Sequence, residues 1–349
     1  MSRKQGAPIA AAFVAGLWML FCARPAAPHE RKQGVLGFID ASGRLVVKNP
    51  ELHELGDLSG GLALARVHRA GVLKYGYVDK DGRFAVEPRF DFATPFSEGL
   101  AFVQLRAERS SGYIDKTGKL VIPLAAEEGR AFSEGLAAVR WETRFGYVDP
   151  KGGTAIAPVF DDAGPFREKL ARVVAGGKTG YIDPAGKLVI PATFSSGAEF
   201  SEGRARVRLE GGRLAFIDKS GGVAAGPLDG VGEAGDFHGG RAVVRIKTAW
   251  GFIDRDGKMA IPARYDAAYG FSEGLAAVQS GGRWSYIDEE GRTVIRADCD
   301  WAFGFREGLA PIARGEKMGF LDAKGRIAVA PSYLRASAFV EGLAKVELE

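Results

Sequence analysis

The sequence predicts an all-β fold built from nine copies of one short unit. Each unit carries an Asp–x–x–Gly motif, and successive motif aspartates lie 34 to 39 positions apart. After the first 30 residues, no segment repeats apolar side chains with the period of a helix. A period of this length that fills the chain indicates one supersecondary unit, copied and stacked. The nine motifs are Asp40/Gly43, Asp79/Gly82, Asp115/Gly118, Asp149/Gly152, Asp183/Gly186, Asp218/Gly221, Asp254/Gly257, Asp288/Gly291 and Asp322/Gly325.

The N-terminal segment differs from everything after it. Arg3 and Lys4 give it a basic start, and residues 9–21 are apolar throughout. This pattern is typical of a secretory signal peptide or of an uncleaved anchor. We therefore expect residues 1–28 to direct export and then to be cleaved or retained as a membrane tether. The protein is expected in the periplasm, anchored at the membrane, or outside the cell. Cys22 raises lipidation as an alternative, although Phe21 before it is large for a lipobox.

The charge and cysteine content limit the partner classes. The full chain carries a net charge of +4, and loss of Arg3, Lys4 and Arg24 with the N-terminal segment lowers it to +1. A nearly neutral chain gives no electrostatic reason to expect nucleic-acid binding. Cleavage would also leave Cys299 as a lone cysteine, so no internal disulfide is expected.

Residues 33–349 are expected to form nine repeats of a three-stranded antiparallel meander. In one unit the apolar segments 242–246, 250–254 and 258–262 have the length and composition of strands. The turn from Asp254 to Gly257 fits a type I turn followed by a left-handed glycine, with the Asp side chain capping the turn. A Pro then ends most third strands, and a loop of about ten residues follows.

A Phe–Ser–Glu–Gly motif or a relative of it closes each unit. Phe leads this motif in eight of nine units, so we expect the ring to be buried between neighbouring units. These residues are Phe96, Phe132, Phe166, Phe200, Phe237, Phe271, Phe305 and Phe339.

The units resemble WG-repeat proteins, β-rich repeats of bacteria named for a Trp–Gly pair. The segment Trp250–Gly251–Phe252–Ile253–Asp254, followed by Ile261–Pro262 and by Phe271–Ser272–Glu273–Gly274, matches the whole pattern. Elsewhere the Trp is relaxed to residues such as Tyr75, Phe145 and Met318. The resemblance covers about residues 33–349 and implies a repeat scaffold, with no reaction and no catalytic residues to transfer.

Two architectures remain open, a β-propeller-like ring and an open superhelix. The first unit begins at residue 34 and lacks its leading strand, whereas the chain ends just after such a strand, at residues 343–348. The last strand could thus complete the first unit, and closure would remove exposed sheet edges. The missing first strand and the extra last strand together favour the ring.

Residues outside the repeat pattern are the best binding candidates. Trp141, flanked by Arg140 and Arg144, is placed by the pattern in a loop that joins two strands. Tyr269 and Trp301 are aromatic residues of the long loops. Each could simply be packing, but loop aromatics on a rigid scaffold are frequent anchors for ligands.

Other polar residues are explained by the repeat. The motif aspartates fit turn caps, and the seven glutamates of the Phe–Ser–Glu–Gly motifs fit solvated turns with weak ion pairs. A basic residue follows seven of the turn glycines, which leaves a cationic rim for anionic glycans or lipids as the alternative. Cys299 occupies an apolar slot of the repeat, and the four histidines lack metal-ligand spacing. We expect no catalytic residue, metal or cofactor.

Taken together, these features predict a monomeric, non-catalytic binding scaffold that is exported to the bacterial cell envelope. Its expected partner is a protein or glycan of the envelope. The alternative is a hydrolase or lyase of envelope polysaccharide, which would need two carboxylates outside the turn motifs to face one pocket.

Overall fold

The computed structural model describes residues 34–349, and all regular structure in this range is β-strand. Thirty-six strands form nine four-stranded antiparallel sheets, here numbered as blades 1 to 9. The segment predicted to direct export, residues 1–28, lies outside the described residues. Within residues 34–349 there is no helix long and apolar enough to span a membrane.

Each of blades 1 to 8 uses four consecutive strands. Blade 1 comprises Leu52–Ser59, Leu62–Arg69, Val72–Val78 and Phe84–Phe90; blade 2 comprises Phe92–Ala93, Ala101–Leu105, Ser110–Ile114 and Leu120–Leu124; blade 3 comprises Glu128–Gly129, Ala137–Trp141, Arg144–Val148 and Thr154–Phe160; blade 4 comprises Asp162–Arg167, Leu170–Ala175, Lys178–Ile182 and Leu188–Phe194. Blade 5 comprises Ser196–Gly197, Ala205–Arg208, Leu214–Ile217 and Val223–Ala225; blade 6 comprises Val231–His238, Arg241–Ile246, Ala249–Ile253 and Met259–Tyr265; blade 7 comprises Ala267–Ala268, Ala276–Ser280, Arg283–Ile287 and Thr293–Arg296; blade 8 comprises Trp301–Ala302, Leu309–Arg314, Lys317–Asp322 and Ile327–Tyr333.

Blade 9 joins the two ends of the described chain. Its sheet order is Arg335–Ala336, Leu343–Leu348, Val35–Asp40 and Leu45–Asn49, so two strands come from each end. Six consecutive residue pairs, from Val35 with Leu348 to Asp40 with Leu343, hold the junction in antiparallel register. The predicted closure is therefore confirmed, and the nine sheets form a ring, a nine-bladed β-propeller. Closure of this kind removes the sheet edges that an open stack would expose.

The unit has one strand more than the three that the sequence predicted. The extra strand lies in the loop before the Phe–Ser–Glu–Gly motif, and in five of blades 1 to 8 it has only two residues, as in Phe92–Ala93. A two-residue strand shows no alternation of apolar and polar side chains, so its pattern cannot be told from a loop. Blades 1 and 6 differ, because their first strands, Leu52–Ser59 and Val231–His238, have eight residues.

Close backbone packing explains the glycine of the Trp–Gly pair. A Cβ on Gly251 would lie 2.7 Å from the carbonyl oxygen of Ile261 in the neighbouring strand. The register between these strands shifts at this point, so that Trp250 pairs with Tyr265 while Phe252 pairs with Ile261. The glycine therefore admits a bulged fourth strand that any side chain would push away.

The Asp–x–x–Gly turns have the predicted geometry. In the turn of blade 6, Gly257 N–H donates to the carbonyl of Asp254 at 3.0 Å, and Gly257 has φ +81°. The Oδ1 atom of Asp254 accepts from the backbone N–H groups of Asp256 and Lys258, both at 3.0 Å. All nine aspartates accept the same two bonds, which confirms their role as turn caps.

The core is divided into nine apolar layers, one between each pair of neighbouring blades. All eight motif phenylalanines are buried in these layers, as predicted. Each packs on an aromatic ring of the preceding blade, as Phe200 does on Tyr181 with ring centroids 5.1 Å apart. The Tyr181 hydroxyl also donates to the carbonyl of Ala198 in the next blade at 2.7 Å. The layers therefore combine ring packing with a fixed polar contact.

Candidate binding site

The five residues proposed from the sequence fall in two places. Arg140, Trp141 and Arg144 lie in blade 3, whereas Tyr269 lies in blade 7 and Trp301 in blade 8. The structure brings Tyr269 and Trp301 into contact with each other.

The blade 3 residues do not lie in a loop, which corrects the sequence-based assignment. Trp141 is the last residue of one strand and pairs with Arg144, the first residue of the next. Only two residues connect these strands, and one of them, Glu142, has φ +54°. The repeat pattern placed these residues in the loop that joins the two strands, but a tight turn of two residues lets both strands continue through Trp141 and Arg144.

The two arginines of this hairpin pair with nearby carboxylates, one just before the first strand of blade 3 and one in the connection to blade 4. Arg140 donates from Nη1 to Glu127 Oε2 at 2.6 Å, and Arg144 pairs with Asp161. Trp141 is half-buried and packs against the apolar layer between blades 2 and 3. This arrangement makes Trp141 mainly a packing residue with a partly exposed ring.

An aromatic cluster joins blades 7 and 8; it consists of Tyr269, Trp284, Trp301 and Phe303. Trp301 Nε1 donates to the Tyr269 hydroxyl at 3.0 Å. The Tyr269 ring is stacked on Trp284, with centroids 5.8 Å apart and an interplanar angle of 17°. Trp284 is only 2% exposed, whereas Tyr269 and Trp301 are partly exposed. Burial raises the pKa of Tyr269, so its hydroxyl stays protonated and able to donate.

A pocket of about 300 Å³ lies beside this cluster, lined by Asp298, Cys299, Asp300 and Arg314. Arg314 Nη2 lies 3.0 Å from Asp298 Oδ2, and Gly315 N–H donates to Asp300 Oδ2 at 2.6 Å. Cys299 packs against the apolar layer between blades 7 and 8, as its slot in the repeat predicted. Burial raises the pKa of this thiol to about 11, so it is a poor nucleophile near neutral pH.

The combination provides a surface for binding. The exposed faces of Tyr269 and Trp301 offer apolar and π surface, and their mutual hydrogen bond fixes both rings. The Asp298–Arg314 pair places both charges at the rim of the pocket. Such a surface suits a ligand that has an apolar face and polar groups at its edge.

The cationic rim, which the sequence left open as an alternative, is partly neutralised by the turn carboxylates. Arg44 lies 2.9 Å from Asp40, Arg292 lies 2.6 Å from Asp288, and Arg326 pairs with Asp322 at 2.7 Å. These exposed pairs lie within single turns and contribute little to stability. In residues 34–349, no group of three or more His, Cys, Asp or Glu side chains is arranged to hold a metal ion.

The glutamates of the Phe–Ser–Glu–Gly motifs form a feature that the sequence analysis missed. Each carboxylate accepts backbone N–H bonds from the matching motif of the next blade, as Glu98 does from Glu134 N at 2.7 Å and from Gly135 N at 3.0 Å. The seven links run from Glu98 to Glu134 and Gly135, Glu134 to Glu168 and Lys169, Glu168 to Gly203, Glu202 to Gly239 and Gly240, Glu273 to Glu307 and Gly308, Glu307 to Glu341 and Gly342, and Glu341 to Gly60 and Gly61.

A signal for this chain of links was present in the sequence. A glutamate holds the third motif position in seven units, before a glycine in six of them and before Lys169 in the seventh, and this position adopts φ between +51° and +54°. Ordinary side chains rarely adopt a positive φ, so repeated use of one residue type there indicates a specific contact. The contact joins residues 34 or 35 positions apart on neighbouring blades. It could therefore be identified only once the structure showed how the blades stack.

The fold and the repeat together define the class: a nine-bladed β-propeller whose unit carries the Trp–Gly motif. The family model described as "WG containing repeat" matches residues 75–106, 112–140, 145–178, 180–212, 250–284, 284–317 and 318–349. These matches cover more than half of the chain, and the chain belongs to this family. No curated protein sequence matches the chain significantly.

The solved structures that match this chain differ widely in description. A structure titled as a eukaryotic initiation factor has a TM-score of 0.57 and 10% identity, over 85% of this chain and 95% of that chain. The extracellular domain of a putative hybrid two-component system from B. thetaiotaomicron has a TM-score of 0.29 and 10% identity, over 83% of this chain and 46% of that chain. The extracellular domain of a putative one-component system from the same organism has a TM-score of 0.33 and 10% identity, over 88% and 54%. The first likeness supports the fold alone.

Proposed function

We propose that this chain is a non-catalytic binding scaffold, exported to the bacterial cell envelope, that recognises a protein or glycan there. The aromatic cluster of blades 7 and 8 carries this proposal. It presents the partly exposed rings of Tyr269 and Trp301 beside a charged pocket, on a propeller that fits a binding role.

The cluster has the properties of a binding anchor. Trp and Tyr supply large contact areas and dominate the energetics of many interfaces. Here Trp301 is held by the Tyr269 hydroxyl, and Tyr269 is stacked on the buried Trp284. Rings that are already fixed lose little conformational freedom on binding, which favours affinity.

Binding to isolated envelope fractions tests this role. Replacement of Trp301 by Ala should reduce retention of the partner, because it removes one exposed ring and the hydrogen bond that orients the other. Trp141→Ala is the matched control, since it changes a partly buried Trp on a different blade. Equal retention by wild type and both variants would refute the cluster as the site, and a loss confined to Trp141→Ala would move it to blade 3.

The proposed export depends on residues 1–28. Fusion of this segment to a reporter enzyme that is active only outside the cytoplasm should give activity, and replacement of Leu17 and Leu20 by Arg should abolish it, because charges prevent a signal from acting. A reporter that stays inactive with the native segment would contradict the export proposal.

A polysaccharide hydrolase or lyase is the second candidate. Asp298 and Asp300 lie outside the turn motifs and line one pocket, as such an enzyme would require. Both also accept hydrogen bonds, Asp298 from Arg314 at the end of a strand and Asp300 from Gly315 in the turn that follows, which favours a structural role. Turnover of envelope polysaccharides that disappears in Asp298→Asn and in Asp300→Asn would support the enzyme and overturn the non-catalytic scaffold.

A further inference from the structure

Two of the nine blades lack the glutamate that forms the inter-blade links. Gly60 of blade 1 and Gly239 of blade 6 occupy the glutamate position, and both keep its left-handed backbone, with φ +62° and +60°. Both lie outside the seven matches to the family model, within residues 34–74 and 213–249. A glutamate at Gly60 would accept from the backbone N–H groups of Glu98 and Gly99 in blade 2. A glutamate at Gly239 would accept from those of Glu273 and Gly274 in blade 7.

The amide pair of blade 2 retains the geometry of the pairs that bind a carboxylate. Glu98 and Gly99 have φ +51° and +83°, against +53° and +82° for Glu134 and Gly135, which receive the Glu98 carboxylate. Within residues 34–349, neither Glu98 N nor Gly99 N has a hydrogen-bond acceptor. Successive backbone N–H groups of this kind form a concave anion-binding surface.

The side chain of Lys116 lies next to Gly60, where a glutamate side chain would begin. A Cβ on Gly60 would be 3.1 Å from the ammonium Nζ of Lys116. Residues at the same turn position in other blades pair with the linking carboxylates, as Lys219 does with Glu168 at 3.0 Å and Arg255 with Glu202 at 3.1 Å. Lys116 has no such carboxylate partner in the described part of the chain. The site thus combines two backbone donors and one cation.

The second position without a glutamate, Gly239, has an acidic neighbour where Gly60 has a lysine. At Gly239 the added Cβ would lie 3.0 Å from Glu289 Oε1, so an acid stands at the turn position that Lys116 holds in blade 2. An incoming carboxylate would be repelled there. The amides of Glu273 and Gly274 therefore serve as an internal control for those of Glu98 and Gly99.

We propose that Gly60, Glu98, Gly99 and Lys116 form a binding site for a carboxylate that a partner polypeptide supplies on a glutamate side chain. Seven equivalent sites of this chain hold a glutamate carboxylate, six of them through both amides and the Glu168 site through Gly203 N alone, so the site accepts that group in that geometry. A charge-assisted contact to Lys116 adds to the two backbone bonds. This site lies apart from the aromatic cluster, and it rests on the proposed function only in that both treat the chain as a binding protein.

Titration of the isotope-labelled full chain with the capped peptide Ac-Ser-Glu-Gly-NH2 tests the site directly. The amide resonances of Glu98 and Gly99 should shift saturably, while those of Glu273 and Gly274 should not. Ac-Ser-Gln-Gly-NH2 should give no saturable shift, because an amide lacks the charge that the site selects. Free glucuronate tests a sugar acid as the alternative source of the carboxylate.

Two variants should weaken peptide binding, and a third serves as their control. Gly60→Glu supplies the carboxylate within the chain and should weaken peptide binding at least about tenfold, through direct competition. Lys116→Gln should weaken it about three- to tenfold, because it removes one exposed charge-assisted contact and leaves the two backbone bonds. Lys219→Gln changes the same turn position in blade 5 and should leave the affinity unchanged.

Several results would overturn the proposal. They are no shift at Glu98 and Gly99 in the wild type, an equal response to the Gln peptide, or undiminished binding in both Gly60→Glu and Lys116→Gln. Tighter binding of glucuronate than of the Glu peptide would overturn the polypeptide as the source. Loss of envelope binding in Trp301→Ala with unchanged peptide binding would separate this site from the aromatic cluster.

Discussion

Seven glutamates adopt φ values between +51° and +54°, a conformation that costs free energy for any residue with a Cβ. Each of them offsets this cost by placing its carboxylate on backbone N–H groups of the next blade, as Glu134 does on Glu168 and Lys169 at 2.8 and 2.9 Å. Bonds to a charged acceptor are stronger than neutral ones. At the residue scale, the strained position is thus explained by a contact between blades.

The motif phenylalanines are the main apolar contacts between blades. Phe200 is 3% exposed and packs on Tyr181. We predict that Phe200→Ala lowers the free energy of unfolding by about 3–5 kcal/mol, because the rigid layer cannot fill the cavity. Val189→Ala is the control, since Val189 is 36% exposed and its truncation should change stability by less than about 0.5 kcal/mol. A loss below about 1 kcal/mol for Phe200→Ala in a denaturant melt would contradict the packing role.

The turn aspartates predict a loss of stability in acid. Hydrogen bonds from the Ser42 hydroxyl and from Arg44 lower the pKa of Asp40 from 3.8 to about 2. Because the folded-state pKa lies below the unfolded value, the unfolded chain binds more protons in acid. The stabilisation is complete above the unfolded pKa of 3.8 and is lost as the pH falls toward about 2.

Ser42→Ala removes the largest cause of this shift. The pKa of Asp40 should rise toward 3.8, so the folded and unfolded values move together and the variant should lose less stability than the wild type as the pH falls from 3.8 toward about 2. The side-chain resonances of Asp40, followed through an acid titration, measure this directly. Titration of Asp40 at its ordinary pKa in the wild type would refute the interpretation.

At the scale of the element, the unit is a four-stranded blade whose neighbours are joined by the glutamate links. Glu134→Ala removes both bonds from blade 3 to blade 4 and should cost about 1–2 kcal/mol, the value for two partly exposed hydrogen bonds to a charged group. Glu142→Ala is the control, because Glu142 also has a positive φ but lies in a hairpin turn of one blade. A similar loss in both variants, measured by urea unfolding, would attribute the effect to backbone strain instead of the link.

The strands that carry periodic motifs could be predicted from the sequence, and the others could not. Asp254 and Gly257 mark a turn by local chemistry alone, so the second and third predicted strands on either side were identified correctly. The two-residue strand Phe92–Ala93 escaped prediction because it is too short to show alternation. The contact between Tyr269 and Trp301 joins residues on different blades, and nothing in the local sequence encodes it.

At the scale of the whole molecule, the ring depends on blade 9, where the strand Leu343–Leu348 pairs with Val35–Asp40. Deletion of residues 343–349 would leave Val35–Asp40 paired only with Leu45–Asn49 and expose new sheet edges. We predict a clear loss of stability and a broader thermal transition, because closure couples all nine blades. Deletion of Glu349 alone is the control and should have little effect, since it removes one exposed ion pair with Lys317.

Hydrogen exchange of the full chain tests the closed ring most directly. Backbone amides of Val35–Asp40 and Leu343–Leu348 should exchange as slowly as those of the strand Leu170–Ala175 in blade 4, because all three are interior strands of complete sheets. In an open stack the two ends would be terminal strands without this pairing, and they would fray. Slow exchange at both ends is the result that the closed nine-bladed ring predicts. Fast exchange at both ends, with protection confined to the middle blades, would contradict it.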